Sequence, residues 1–265
     1  GRIARSFYNH DQITQKHNTP TLQINLKITF YFLTKLQKKN MLEVQKMWID
    51  LHMHEKTYSP DSFLSLEEIV SRAKVMGLDA VCITDHESNS LKGRAEEYSE
   101  ETGFPILVGY EYLTDRGDIL VFGVKDVPKY QYMPVDEFLS MVVSEGGIAI
   151  AAHPFRKNNR GLENYLKTVK NLYGIECLNG STPEGLNRMA YEIALERGLH
   201  TTGASDCHVP EKIGRYATNI PDGVKTVEDL VKVFKDRNSL IFPGMWTSEG
   251  YKRVNISDLD IEDVK

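Results

Sequence analysis

The sequence predicts an α/β fold in which short strands alternate with helices and close into a barrel. The segments of strand length are apolar, several of them throughout, which is typical of a parallel sheet buried on both faces. Segments with helical periodicity lie between many of them, and βα units repeated over about 200 residues favour a barrel over an open sheet. A doubly wound sheet is the alternative, although no glycine-rich phosphate-binding motif follows the first strand.

The first half of the predicted domain begins with a strand at the apolar segment 48–51. A helix is predicted to start at Ser65, because Ser65 and Glu68 have the spacing of a capping box and the apolar residues after them have helical periodicity. Gly77 stands where that helix is expected to end. The next predicted strands are residues 79–84, 105–112 and 118–124.

The second half continues the same alternation. A helix is predicted after Pro134, and the pair Gly146 and Gly147 is expected to end it. Apolar residues at helical spacing predict further helices in the segments 162–169, 186–194 and 227–234. The remaining predicted strands are residues 148–152, 174–178, 199–205 and 239–242.

The charge of the chain is unevenly distributed. Its 265 residues carry a formal net charge of −5, from 32 Lys and Arg against 37 Asp and Glu. Residues 1–40 hold seven basic residues and one acidic residue, so this segment contributes +6 and residues 41–265 contribute −11. An acidic body is a poor surface for a polyanion, so we expect no long duplex nucleic acid among the partners.

The composition also argues against a membrane protein and a disulfide-stabilised protein. No uninterrupted apolar stretch approaches the roughly 18 residues that a membrane-spanning helix needs, so we expect no membrane partner. The three cysteines, Cys82, Cys177 and Cys207, are scattered and do not form a CxxC motif. This pattern is typical of a reducing compartment, and we expect a cytoplasmic protein. The sequence carries no signal for an oligomeric state.

The charge boundary suggests three parts. We interpret residues 1–46 as an N-terminal extension that is disordered or non-native, with an interaction or targeting arm as the alternative. Residues 47–245 contain the alternating strands and helices and form the predicted domain. Residues 246–265 are interpreted as a C-terminal tail.

Five histidines lie at or just after the ends of predicted strands, where a βα barrel has its active-site mouth. They are His52, His54, His86, His153 and His208, and acidic residues stand beside them or end a strand in the same manner, namely Asp50, Asp85, Glu111 and Asp206. His52 and His54 are two residues apart on an extended segment, so both rings can reach one ion. We therefore predict a metal site, and its mixed ligands favour Zn, Mn or Fe over Mg or Ca.

Four residues near this cluster have other expected roles. Asp50 and Asp85 either orient the ligand histidines or bind metal themselves. Cys207 lies between Asp206 and His208 on an extended segment, so its side chain is expected to point away from the metal and to pack in the core. His200 lies inside a predicted strand and is expected to be structural.

An ordered set of motifs resembles the PHP (polymerase and histidinol phosphatase) domain family across residues 47–245. The motifs are Asp50-Leu51-His52-Met53-His54, Tyr58-Ser59-Pro60-Asp61, Thr84-Asp85-His86, Glu111, Ala152-His153-Pro154 and Ser205-Asp206-Cys207-His208. The resemblance implies a distorted (β/α)7 barrel, similar to a TIM barrel, that holds two or three divalent metal ions at its C-terminal mouth.

The resemblance also implies which residues bind each ion. His52, His54, Glu111 and Asp206 would hold one ion, and Glu111 would bridge to a second ion shared with His153. Asp61, His86 and His208 would hold a third. Asp118 stands where the family often has a histidine, and because a carboxylate can also bind metal we expect it to be a ligand. A turn residue at the start of a strand is the alternative for Asp118.

The activity implied is a metal-dependent phosphoesterase. A metal-bridging hydroxide would attack the phosphorus of a small phosphorylated substrate, either a phosphomonoester, a nucleotide or a short oligonucleotide. Arg156 is a candidate to pair with the phosphate, with a surface salt bridge as the alternative, and Asn179 is a candidate to hydrogen-bond at the mouth. Two further functions stay open, an amidohydrolase-type C–N or C–O hydrolase and a non-catalytic metal-binding accessory module.

Overall fold

The structure is a computed structural model that describes residues 46–259. The interpretation of residues 1–46 as an extension therefore lies, except for Lys46, outside the described residues, as does the end of the expected tail. Eleven strands are formed in the described part: Lys46–Asp50 (β1), Ala80–Ile83 (β2), Ile106–Val108 (β3), Tyr110–Leu113 (β4), Asp118–Phe122 (β5), Ile148–Ala151 (β6), Gly174–Asn179 (β7), His200–Ala204 (β8), Tyr216–Pro221 (β9), Phe242–Thr247 (β10) and Gly250–Arg253 (β11).

Five α-helices cover the strands, and among the described residues none is long and apolar enough to cross a membrane. They are Leu66–Val75 (α1), Lys92–Thr102 (α2), Val135–Ser144 (α3), Glu184–Arg197 (α4) and Val227–Lys235 (α5). Helix α1 begins as predicted, because Ser65 accepts from the backbone N–H of Glu68 and the Glu68 side chain bonds back to Ser65. Short 3-10 helices lie at Glu163–Lys167, Pro210–Lys212 and Ile256–Asp258.

Backbone pairing arranges the strands in two sheets. The first has the order β11-β10-β9-β1-β2-β3, and the second has the order β4-β5-β6-β7-β8. The parallel pairs are β1 with β2, β2 with β3, β6 with β7, and β7 with β8. The other neighbours pair antiparallel, namely β4 with β5, β5 with β6, β1 with β9, β9 with β10, and β10 with β11. The fold is therefore mixed α/β, as predicted, with parallel strands in both sheets.

The two sheets meet at their edges. Strand β3 continues into β4 through the single residue Gly109. At the other edge, Thr218 of β9 donates its hydroxyl to the carbonyl of Gly203 in β8 at 2.8 Å and accepts from the Gly203 N–H at 3.0 Å. Beyond the strand ends, Met53 and Cys207 form a parallel bridge. These contacts place the carboxyl ends of β1 and β8 side by side.

Several elements differ from the sequence prediction. Helix α2 was not predicted, because it is polar and buries only Ala95. The segment 162–169 forms a 3-10 helix and not an α-helix, and the carbonyls of Leu166 and Val169 accept hydrogen bonds from Arg197. The strand predicted at 239–242 lies further along the chain, as β10.

The C-terminal strands extend the first sheet. Strand β10 runs through residue 245, the expected end of the domain, and β11 pairs antiparallel with it. Strands β9 and β11 were not predicted, because neither has the continuous apolar run on which the strand predictions rested.

Candidate metal centre

The segment after the carboxyl end of β1 carries two of the candidate ligands, His52 and His54. It runs beside the segment after β8, with the Asp206 N–H donating to the His52 carbonyl at 2.8 Å and the His54 N–H donating to the Cys207 carbonyl at 3.2 Å. Met53 and Cys207 are fully buried in one hydrophobic cluster. Because alternate residues of an extended segment face opposite sides, His52, His54 and Asp206 face the mouth together. The expected core position of Cys207 is confirmed.

Other ligand candidates also follow strand ends, whereas Glu111 lies within β4. His86 follows β2 and forms a parallel bridge with Glu111 of β4. His153 follows β6, with φ of 27°, and Asp206 follows β8, with φ of 49°. This left-handed backbone is uncommon for residues other than glycine and costs roughly 1–3 kcal/mol, and such residues concentrate at functional sites.

Four buried side chains form a set with the dimensions of a metal site. The Nε2 atoms of His52 and His54 are 3.1 Å apart, and they lie 3.6 Å and 3.5 Å from the same Asp206 oxygen. The Glu111 carboxylate lies 3.5 Å from His52 Nε2 and 3.6 Å from His54 Nε2. Four ligands about 2.1 Å from one ion in a tetrahedron are roughly 3.4 Å apart, so these residues fit a bound divalent ion.

Two further groups adjoin this set. His153 Nε2 lies 2.9 Å from Glu111 Oε1 on one side. On the other side, one oxygen of Asp61 lies 3.2 Å from His86 Nε2 and 3.3 Å from His208 Nε2. Candidate ligand groups with all donor atoms within 4.8 Å of one another are His52–His54–Asp206, His52–Glu111–His153 and His54–His86–His208.

Two buried carboxylates hold the histidine rings. His52 Nδ1 lies 3.1 Å from Glu176 Oε1. His54 Nδ1 lies 3.2 Å from the hydroxyl of Ser59, which donates to Asp85 at 2.9 Å, so the hydroxyl oxygen accepts from His54. In both rings the proton is therefore held on Nδ1, and the Nε2 lone pair is free for metal.

Glu176 is a site residue that the sequence reasoning missed. It is a fully buried acid inside the apolar strand β7, and that contrast with its neighbours was the available signal. Asp85 orients a ligand through Ser59, as expected of one of its two roles. Asp50 instead accepts the backbone N–H groups of His52 at 3.3 Å and Ser205 at 3.0 Å, and burial raises its pKa to about 7.

Comparison with known proteins identifies the family. Residues 184–239 match the family model described as PHP-associated. An uncharacterized protein of Methanocaldococcus jannaschii is 31% identical over 153 residues, which span 53% of this chain and 86% of that protein. The chain belongs to the PHP-domain family. The motifs of the sequence therefore identified the family correctly.

Solved structures share the PHP-like fold. A two-domain Bacteroides vulgatus protein, described as containing a predicted PHP-like metal-dependent phosphoesterase, superposes with a TM-score of 0.60 at 20% identity, covering 75% of this chain and 65% of that one. The lesion-specific endonuclease EndoQ of Pyrococcus furiosus gives a TM-score of 0.58 at 18% identity, covering 75% and 58%. The chain thus spans less than two thirds of either structure.

The mouth of this PHP-domain protein is a small polar cavity of about 160 Å³. Its lining includes the predicted residues Asp61, His86, Glu111, Asp118, His153, Arg156, Asp206 and His208, together with Asn158 and Arg160. Arg156 forms an ion pair with the buried Asp206 at 2.6 Å, so its partner is a residue of the centre. Arg160, which the sequence reasoning missed, binds both oxygens of Asp118.

Asn179 lies below this cavity and supports it. Its amide donates to Glu176 at 3.1 Å and to Asp206 at 3.1 Å, and its own oxygen accepts from Ser181 and Thr182. Asn179 is fully buried, and its two amide hydrogen bonds position acids of the PHP centre. His200 Nε2 donates to the Phe234 carbonyl at 3.1 Å, in keeping with its expected structural role.

Burial and close contacts shift the pKa values of several groups in the PHP centre. Burial opposes the charge of Glu111, but its histidine neighbours, His52 first, hold its pKa well below the usual value. Burial lowers the pKa of His54 to about 4. Burial also opposes charge on His86, yet its contact with Glu111 raises its pKa to about 9. Closely spaced buried groups of this kind are typical of a site built for a divalent cation.

Proposed function

We propose that the protein is a metal-dependent phosphoesterase that hydrolyses a small phosphomonoester, a nucleotide or a short oligonucleotide. The observation that carries this proposal is the set His52, His54, Glu111 and Asp206. The two histidine Nε2 atoms are 3.1 Å apart, each lies 3.5–3.6 Å from both carboxylates, and two arginines line the adjoining cavity. Histidine and carboxylate ligands favour two or three ions of Zn, Mn or Fe.

The chain supplies ligands and anion-binding groups around one cavity. When bound, divalent ions make a water nucleophilic near neutral pH and stabilise the charge that develops on a phosphoryl group. Glu176 and Ser59 hold His52 and His54 in the tautomers that leave Nε2 free. Arg156 and Arg160 line the same cavity, where guanidinium groups match the geometry of a phosphate.

The proposal includes the architecture that the motifs imply. The two sheets, joined by Gly109 at one edge and by Thr218 and Gly203 at the other, would form a distorted (β/α)7 barrel with the metal centre at its C-terminal mouth. Residues 47–245 would supply every ligand, with β10 and β11 completing the first sheet.

The two alternative functions have less support at this site. Among residues 46–259, the cavity is lined by no lysine that could carry the carbamate of an amidohydrolase. A non-catalytic module would not need the two arginines beside the ligands. The expectation of no long duplex partner stays a prediction. An endonuclease Q with this fold has been solved in complex with a 27-mer duplex; it is 17% identical, with a TM-score of 0.55, and the chain covers 57% of it.

The test combines metal analysis with a substrate panel. Wild-type protein loaded with Zn or Mn is expected to hydrolyse one of a set of phosphomonoesters, nucleotides and short oligonucleotides. The double variant His52→Ala with His54→Ala removes two ligands of the central set and should lose both bound metal and hydrolysis.

The control is His200→Gln, which changes a histidine outside the centre. It should keep wild-type metal content and activity. Full metal content and full hydrolysis in the double variant would show that the site is assigned wrongly. A metal-loaded wild type that cleaves amides or lactones but no phosphoester would favour the amidohydrolase function.

A further inference from the structure

Asp118 and Arg160 form an ion pair, and both residues line the cavity beside the candidate metal ligands. Asp118 is the first residue of β5 and is fully buried. Its Oδ2 accepts from Arg160 Nε at 2.6 Å and its Oδ1 accepts from Nη2 at 3.0 Å. Both carboxylate oxygens are therefore bound by one guanidinium, in the bidentate geometry that gives the strongest pairing.

The backbone fixes this arginine in place. The Asp118 N–H donates to the Arg160 carbonyl at 2.8 Å. A Cβ added to Gly117 would lie 2.6 Å from the carbonyl carbon of Gly161, and one added to Gly161 would lie 2.3 Å from the Pro154 oxygen. The loop that carries Arg160 is thus packed between the start of β5 and the residue after His153, and only glycines allow this approach.

The ligands available near Arg160 are too few for a further ion. His52 Nε2 has one lone pair, so it serves one ion. The candidate group with His54 and Asp206 and the candidate group with Glu111 and His153 both need that lone pair, so they cannot both use His52. On the side of the set that faces Arg160, the described candidate ligands for a further ion are His153 and Glu111. Asp118 lies 3.7 Å from His153 Nε2, but its carboxylate is bound to Arg160. On the opposite side, Asp61, His86 and His208 remain together.

We propose that the guanidinium of Arg160 replaces a metal ion beside Glu111 and His153, so that the centre holds two ions, and that its free N–H groups bind the substrate phosphate. Arginine has five N–H donors, and two of them are used by Asp118. Within residues 46–259, Nη1 donates to no protein acceptor, and Arg160 lines the cavity. Asp118 is then the residue that positions Arg160, not a metal ligand.

The metal count tests the first half of the proposal. Protein stripped of metal and reloaded with zinc should contain two equivalents by mass spectrometry, and Asp118→Asn should also contain two. Arg160→Ala frees the Asp118 carboxylate to join Glu111 and His153, so it should contain three. The proposal is overturned if wild type holds three, if Asp118→Asn loses one equivalent, or if Arg160→Ala stays at two.

Phosphate affinity tests the second half, which rests on the proposed function. Inorganic phosphate binding to the zinc-loaded protein, measured by calorimetry, should weaken by about tenfold or more in Arg160→Ala, because charge-assisted hydrogen bonds are lost. Arg160→Lys keeps the positive charge but not the paired N–H donors of the guanidinium, so it should bind phosphate more tightly than Arg160→Ala but more weakly than the wild type. Wild-type phosphate affinity in Arg160→Ala would overturn this assignment.

A double variant separates the loss of Arg160 from destabilisation of the fold by an unpaired buried charge. Removing one partner leaves a buried charge unpaired, whereas Asp118→Ala with Arg160→Ala removes both charges. This variant should contain two zinc ions and bind phosphate as weakly as Arg160→Ala, and a third ion would contradict the proposal. If wild type has two ions and an Arg160-dependent phosphate site but cleaves no phosphoester, the proposed function fails while this inference stands.

Discussion

Glu176 holds three groups of the centre at once, and its substitution tests how far ligand orientation matters. It lies 3.1 Å from His52 Nδ1 and accepts from the His153 N–H at 2.7 Å and the Asn179 amide at 3.1 Å. In Glu176→Gln one acceptor oxygen becomes a donor, so one of these bonds becomes a donor–donor contact. We expect metal affinity, measured by chelator competition, to fall about 10–100-fold.

The matched control is Glu196→Gln, which makes the same chemical change on an exposed residue of α4. Its metal affinity should equal that of the wild type. Equal affinities in both variants would mean that Glu176 does not orient His52.

The charge of His86 predicts a pH dependence of metal binding. Contact with Glu111 outweighs burial and raises the pKa of His86 to about 9 in the metal-free centre. Below that pH the ring is protonated, so a metal ion must displace the proton, and the affinity falls as the pH falls. We expect zinc affinity to rise at least about tenfold per pH unit between pH 6 and 8. Competition titrations at constant ionic strength measure this slope, and a flat profile would contradict it.

Most of the candidate ligands were predictable from sequence because they follow strand ends, but the residues that support them were not. His52, His54 and Asp206 follow β1 and β8, and parallel strands bring such ends together. Glu176 and Arg160 reach the centre through side-chain contacts across loops and strands that are far apart in the chain. No local spacing indicates contacts of that kind.

At the scale of elements, Gly109 is the link on which the two sheets depend. It is the single residue between β3 and β4, and a Cβ there would lie 2.4 Å from the Val121 carbonyl oxygen and 2.6 Å from the Phe122 ring. Gly109→Ala must move backbone or a buried ring, so we expect the free energy of unfolding to fall by about 1–3 kcal/mol. Urea denaturation measures the change.

The control is Gly93→Ala, the same substitution at a site where we expect the free energy of unfolding to rise. Gly93 lies within α2, and a Cβ there meets no atom within 4 Å. Alanine favours a helix over glycine by about 0.8–1 kcal/mol, so this variant should be more stable than the wild type. Stability changes of the same sign in both variants would contradict the role given to Gly109.

The elements that were predicted correctly are those with a strong apolar pattern. Helices α1, α3 and α4 each bury a regular set of side chains, and Gly198 ends α4 in the left-handed conformation that glycine commonly adopts at a helix end. Helix α2 buries only Ala95, so its helical periodicity carries no hydrophobic signal. Whether the strands form a closed barrel depends on edge contacts such as that between Thr218 and Gly203, which have no local pattern.

At the scale of the molecule, the metal centre joins both sheets. His52, His54 and His86 follow strands of the first sheet, whereas Glu111 and His153 belong to or follow strands of the second. The acidic residues Glu111, Glu176 and Asp206 of this centre are buried, and buried like charges repel unless a cation lies between them. Part of the −11 charge of residues 41–265 is therefore placed where a cation would stabilise the fold.

Removal of metal should accordingly lower the stability of the whole domain. An ion that binds only the folded state at about 1,000 times its Kd adds roughly 4 kcal/mol, which corresponds to about 10 °C in Tm for a domain of this size. Dialysis against a chelator should lower Tm in a thermal melt, and zinc should restore it. In His52→Ala with His54→Ala the Tm should rise less on addition of zinc than in the wild type, because two ligands of the central set are gone. A wild-type Tm that is unchanged by the chelator, with metal loss verified by mass spectrometry, would mean that the ions do not hold the two sheets together.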